Sequence, residues 1–240
     1  MRTSRLRRFT VASLSFLVAV GLACAQDFSA SVVRVRAVGA DGITQLGSGV
    51  VIGPGQVATA CHITRGATTI EIEYGAKRSL ADAQLGNQYH DLCLLMAPSV
   101  DASAVPMRRS DELHPGETVI AIGFQGGQFA VEIRGSVAAL YPYDDGHVIR
   151  TTAAFDFGSS GGGLFDRTGN LVGILAFKAR SGANLRFALP TEWLSPASKV
   201  ASTFVSIAPT SKGAAFWEGS PNVRPAFLGV AKSEAAGTLP

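Results

Sequence analysis

The sequence predicts an all-β chain, a barrel or a sandwich, and two kinds of observation carry that prediction. Short runs of aliphatic, aromatic and β-branched residues recur at close spacing from Ser31 to about Leu189, punctuated by Gly, Asp and Asn. Turn chemistry lies between them: Asp144-Asp145-Gly146 and Asp166-Arg167-Thr168-Gly169-Asn170 supply residues that tolerate the positive φ of hairpins. Composition agrees, since 240 residues that are 47% hydrophobic and 16% charged, with 27 Gly and 11 Pro, make a packed globular chain and not a disordered or fibrous one. Neither βαβ alternation nor a repeat of solenoid or propeller period is visible.

The first element is a leader. Arg2, Arg5, Arg7 and Arg8 form a positive region, Val11 to Leu22 is apolar but short for a membrane span, and Ala23-Cys24-Ala25 fits a small-x-small cleavage site. Residues 1–25 are therefore expected to be a signal peptide. A retained anchor helix and a lipid-modified Cys24 are the alternatives. The mature chain is expected to begin near Gln26, to be periplasmic or secreted, and to keep no stable membrane span. Without those four arginines, the 21 basic residues fall one short of the 18 acids, so the positive balance belongs to the leader. No basic patch remains in the body, which excludes a typical nucleic-acid partner.

The strand-like runs are 31–38, 47–52, 56–60, 69–74, 91–96, 118–122, 130–137, 146–151, 162–165, 171–177 and 184–189. Pro190 then opens a helix predicted over Thr191 to about Phe204, with Thr191 as a cap. From residue 206 to 240 the chain is rich in Pro, Gly and Ala with little periodicity, and a loosely ordered tail is expected.

The sharpest chemical signal is Phe157-Gly158-Ser159-Ser160-Gly161-Gly162-Gly163-Leu164. A serine nucleophile needs backbone N–H groups aimed at the oxyanion formed on attack, and flanking glycines allow that turn without Cβ clashes. A flexible linker is the plain alternative, but strand-like sequence bounds the segment on both sides. Gly158-x-Ser160-x-Gly162 also satisfies the nucleophile elbow of α/β hydrolases, in which the histidine follows the serine. Here His62, His90, His114 and His147 all precede Ser160. The order Asp, His, Ser belongs to an α/β scaffold, which the strand-turn rhythm opposes, so His, Asp, Ser is the order that fits. His62 closes Val57-Ala58-Thr59-Ala60-Cys61, at a strand end where a general base is held rigidly. Asp91 opens Asp91-Leu92-Cys93-Leu94-Leu95, where orienting an imidazole offsets the cost of a carboxylate entering an apolar strand. The other three histidines read as ordinary surface or satisfied core residues.

Together these segments resemble the trypsin-like, chymotrypsin-fold serine peptidases, most closely the bacterial HtrA/Deg branch. Gly47-Ser48-Gly49-Val50-Val51-Ile52, Thr59-Ala60-Cys61-His62, Asp91 to Leu95, Val119-Ile120-Ala121-Ile122-Gly123, Gly135-Ser136-Val137, Thr152-Ala153-Ala154, Gly169 to Ile174 and Phe187-Ala188-Leu189-Pro190 occur in that family's order. The resemblance covers about 31–190. It implies two packed six-stranded antiparallel β-barrels, about 31–115 and 116–190, within a peptidase domain of 26–205, with the short helix after them. It further implies a triad of His62, Asp91 and Ser160 and an oxyanion hole from the N–H groups of Gly158 and Ser160. By analogy Ala154, Phe155, Asp156, Ile174, Leu175 and Ala176 line the primary substrate pocket. That lining favours a small or medium aliphatic side chain, unless Asp156 points inward and selects a basic one. A triad brings Cys61 and Cys93 into one neighbourhood, and an even cysteine count after cleavage suits an oxidising compartment, so a Cys61–Cys93 disulfide is expected.

Two departures from the family matter. Ser159 stands where Asn or Asp is usual, so no activation by a newly cut N-terminus is expected. Ala226-Phe227-Leu228-Gly229-Val230 is followed by too few residues for a PDZ domain. The function expected is that of an exported serine endopeptidase acting on protein or peptide substrates, with no cofactor. A weakly catalytic binding or chaperone-like module and an esterase with the same triad are the competing readings. No zinc-type spacing of His, Cys or Glu is present.

Overall fold

A computed structural model describes residues 28–87, 89–126, 129–178, 185–194 and 205–207. The expected leader, most of the expected helix and the tail beyond 207 lie outside the described residues. The first half contains β1 (Val32–Gly39), β2 (Thr44–Gly53), β3 (Gln56–Ala60), the helical turn α1 (Cys61–Thr64), β4 (Ala67–Tyr74), β5 (Lys77–Leu80), β6 (Ala83–Asn87) and β7 (Leu92–Met96). The second contains β8 (Thr118–Gly123), β9 (Val131–Tyr143), β10 (Gly146–Thr151), β11 (Gly163–Asp166), β12 (Leu171–Lys178) and β13 (Arg186–Pro190). A 3₁₀ turn, Thr191–Leu194, begins where the helix is expected, and β14 (Val205–Ser206) crosses back to the first half.

The all-β expectation holds. Strands β8 to β13 close into a six-stranded barrel in the order β10-β13-β12-β11-β8-β9. The first half is an antiparallel sheet in the order β14-β6-β7-β3-β2-β1-β4-β5. Its six central strands match the expected number, with β5 and β14 added at the edges. In β1, Val33 and Val35 enter the core of the first sheet while Val32 faces the second body; the period of two sends alternate residues to opposite sides. Likewise, in β8 Val119 and Ala121 fill the barrel while Ile120 and Ile122 face the first sheet. Val50, Ala58 and Leu92 meet Ile120, Ile122, Phe165, Ile174 and Phe187 in this shared layer. A strand buried on both faces reads as a continuous apolar run, which explains Val119 to Ile122. Each fully buried aliphatic or aromatic side chain contributes about 1.5–3 kcal/mol by leaving water, so the shared layer fixes how the bodies meet.

Candidate active site

The site lies at that seam. Strand β3 delivers Ala60, and α1 turns the chain sharply, leaving His62 with 43% of its side chain accessible while Cys61, Ile63 and Thr64 are buried. Asp91 precedes β7, the neighbour of β3, and adopts a left-handed backbone, φ 56°. In that conformation it grips the His62 turn three times. Its carbonyl accepts from Cys61 N–H (2.9 Å), Oδ1 accepts from His62 N–H (2.8 Å), and Oδ2 accepts from His62 Nδ1–H (2.7 Å). A carboxylate can only accept, so this contact assigns the proton to Nδ1 and leaves Nε2 as the basic nitrogen of the neutral ring. Burial pulls the imidazolium down, and the hydrogen bond and charge of Asp91 outweigh it against a smaller opposition from Arg65. The result is a His62 pKa raised above the ordinary histidine value.

Two residues past Asp91, Cys93 lies opposite Thr59 in the β3–β7 ladder and forms a disulfide with Cys61, Cα–Cα 4.9 Å, as expected. It ties the histidine turn to the strand that follows the aspartate.

Ser160 comes from the second body, on the loop between β10 and β11. The loop is stapled to both bodies. Ser48 N–H donates to Ser160 O (2.8 Å), Ser48 Oγ–H donates to Gly158 O (2.8 Å), and Phe124 N–H donates to Ser48 Oγ (2.8 Å). From the barrel side, Gly161 N–H donates to Leu175 O (2.7 Å). A Cβ on Gly161 would lie 2.1 Å from Ser48 O, 2.4 Å from Thr59 Oγ1 and 3.0 Å from Ala60 N, so the residue after the serine is pressed against the strand that ends at the histidine turn. Gly161 and Gly158 also hold φ of 85° and 88°, where a side chain is strained. Ser48 was read from sequence only as part of a strand motif. The one signal was a polar residue between two glycines in an otherwise apolar run.

Among the described residues the Ser160 hydroxyl makes one hydrogen bond, donating to Ala176 O at 3.1 Å. Ser159 N–H is engaged by Asp156 O (3.0 Å), whereas among the described residues the N–H groups of Gly158 and Ser160 have no protein acceptor. Ser159, 1% exposed, accepts from Gly162 N–H and fills the space beside Gly123.

The six pocket candidates divide. Ala154 is exposed and Asp156 half-buried, its carboxylate accepting from Phe157 N–H (2.9 Å). Phe155 and Leu175 belong to the barrel core, and Ile174 and Ala176 to the shared layer. What Leu175 and Ala176 present toward the serine loop is carbonyl oxygen. Arg186 donates to the Phe155 carbonyl beneath the same loop. Among the described residues, no group of three or more His, Cys, Asp or Glu could hold a metal ion.

Residues 47–174 match the trypsin-like peptidase domain. A protein named probable periplasmic serine endoprotease DegP-like from Marinomonas sp. is 35% identical over 159 residues, 62% of this chain and 34% of that protein. The periplasmic serine endoprotease DegP of Escherichia coli is 32% identical over 160 residues, 61% of this chain and 33% of its own. The chain thus spans about a third of the length of these curated relatives. Among solved structures, the HtrA-type protease AlgW with a tripeptide is 30% identical at a TM-score of 0.60, covering 68% of this chain and 57% of that one. A protease of M. tuberculosis in its active form shares the fold at a TM-score of 0.65 and 23% identity, covering 73% of this chain and 83% of its own.

Proposed function

The chain belongs to the trypsin-like peptidase family, and on that premise we propose that it is an exported serine endopeptidase that cleaves protein or peptide substrates in the cell envelope or outside the cell. The observation that carries the reading is the Asp91–His62 pair, with Nδ1–H held at 2.7 Å, on the strand end against which the Ser160 loop packs. In the proposed reaction Ser160 Oγ rotates away from Ala176 O toward His62 Nε2. One neutral hydrogen bond replaces another, so the exchange costs little. His62 takes the proton as Oγ attacks the substrate carbonyl, and Asp91 stabilises the imidazolium and keeps the ring oriented. The free N–H groups of Gly158 and Ser160 receive the oxyanion. His62 then returns the proton to the leaving amine, and water repeats the cycle to release the acyl group.

The names of two relatives, which carry the word periplasmic, support the compartment. The hydroxyl resting on Ala176 O favours one competing reading, a fold that binds unfolded chains without cutting them.

A fluorophosphonate probe separates the two. The purified protein should be labelled on Ser160, Ser160→Ala should remain unlabelled, and casein should be cleaved by the first only. Peptide binding with no Ser160-dependent label would favour the binding module, and ester cleavage without casein cleavage would favour an esterase.

A further inference from the structure

His90, just before Asp91, is 3% exposed, so its imidazole must find partners inside the protein. Asn87 Nδ2–H donates to Nδ1 (2.6 Å) while Asn87 Oδ1 accepts from His90 N–H (3.0 Å). On the other side Nε2–H donates to Asp144 Oδ2 (2.7 Å). These three bonds fix a neutral ring with its proton on Nε2, because the Asn87 oxygen is already occupied and only its NH₂ can face Nδ1. Trp193 stacks flat on the ring, centroids 3.9 Å apart at 11°, and Tyr89 and Tyr143 meet it edge-on.

The partners come from both bodies. Asn87 ends β6 of the first sheet. Tyr143 and Asp144 belong to the β9–β10 hairpin of the barrel, and Trp193 follows β13. Two non-glycine residues among those described have positive φ, Asp91 at 56° and Asp144 at 48°. They are the residue next to His90 in the chain and the carboxylate bonded to it. A left-handed residue with a Cβ is strained, somewhat less so for Asp, and persists only where its surroundings hold it. The His62 turn holds Asp91 from one side; the peptide from His90 holds it from the other.

We propose that His90 is a positioning residue for the reaction: clamped between the bodies by Asn87, Asp144 and Trp193, it fixes the left-handed backbone of Asp91 that turns both carboxylate oxygens onto the His62 turn. This rests on the triad reading of Asp91 and His62. His90 touches no substrate and moves no proton. It couples the seating of the barrel on the first sheet to the alignment of the aspartate, so loosening the β9–β10 hairpin is felt at the imidazole.

Asp144 gives the cleanest test, because its side chain is 39% exposed and lies at a surface turn. Asn in its place tolerates positive φ and still accepts from Nε2–H, whereas Ala does neither well. Two readouts are taken on Asp144→Ala, Asp144→Asn and His90→Phe: kcat and KM for casein-derived peptide, and the downfield proton resonance of the His62 Nδ1–H···Asp91 bond. We expect Asp144→Ala and His90→Phe to lower kcat roughly ten- to a hundredfold, with KM within about twofold, and to shift or broaden the resonance. Asp144→Asn should stay within about twofold of the parent in both. If Asp144→Ala keeps the parental kcat and resonance, or Asp144→Asn loses as much as Asp144→Ala, the proposal is overturned. Should His90→Phe not fold, the Asp144 pair decides alone. If the parent shows no Ser160-dependent hydrolysis, the peptidase reading fails, while the resonance still reports on the clamp.

Discussion

Asp91 is the residue on which the hydrogen bonds of the His62 turn converge. One side chain and one carbonyl satisfy two N–H groups of the α1 turn and the imidazole together, so substitution there perturbs orientation and charge at once. The consequence for pH follows from the sign of the His62 shift. A base must be neutral to accept the serine proton, and a raised pKa keeps the imidazole charged to a higher pH than usual. The acid limb of kcat/KM should therefore have its midpoint above the ordinary histidine value of 6.5. Asp91→Asn removes the charge that raises it, and should move the limb to lower pH while reducing kcat by roughly four orders of magnitude. A pH–rate profile of both proteins checks this, and an unmoved limb would mean that another group governs it. Sequence singled out His62 and Asp91 because each stands at the edge of an apolar run where a polar residue needs a reason, and Ser160 because glycines surround it between strand-like runs. His90 was not: its carboxylate partner is 54 residues away, and nothing near it in the chain distinguishes a clamped imidazole from a surface one.

At the scale of elements, the strands that were legible are those buried on one or both faces. β5 was missed because Lys77-Arg78-Ser79-Leu80 is a mostly exposed edge strand, and charge there discourages pairing with another chain without giving an apolar signal. β6 was missed because Ala83-Gln84-Leu85-Gly86-Asn87 has little β propensity and is held by pairing with β7. β9 runs on to Tyr143, past the expected end at Val137, because β10 pairs with its second half while β8 pairs with the first. The register shift opposite Val137 absorbs the bend between the two pairings. The disulfide acts at this scale too. Its cysteines are 32 residues apart, and closing a loop of that size should stabilise the fold by roughly 4 kcal/mol through the unfolded chain. Reduction is expected to lower the unfolding free energy by that amount, read from the shift in midpoint of urea titrations with and without reductant. Because the bridge joins α1 to β7, activity should fall before the fold does. Two thiols alkylatable without reductant would contradict the bridge itself.

For the whole molecule, the runs and turns predicted an all-β chain and the family resemblance implied two bodies, but the way they meet was legible in neither. The shared layer takes one alternate set from each strand, Val32 of β1, Ala58 of β3, Ile120 and Ile122 of β8 and Ile174 and Ala176 of β12, and sequence alternation alone does not say which face of a strand meets which partner. The loop holding Ser160 is likewise set by contacts far apart in the chain: Ser48 bonds to Gly158 across 110 residues, and Gly161 can approach Ala60 only because it lacks a side chain. Both bodies must therefore be in place before the three polar groups can act together.

That dependence is tested most directly by casein hydrolysis rates for Ser160→Ala, His62→Ala and the double variant. Each single change should reduce kcat by about four orders of magnitude or more, and the double variant should be no slower than either single one, because the groups work as one unit. Losses that multiply, or a Ser160→Ala protein that still cleaves casein at the parental rate, would contradict the account.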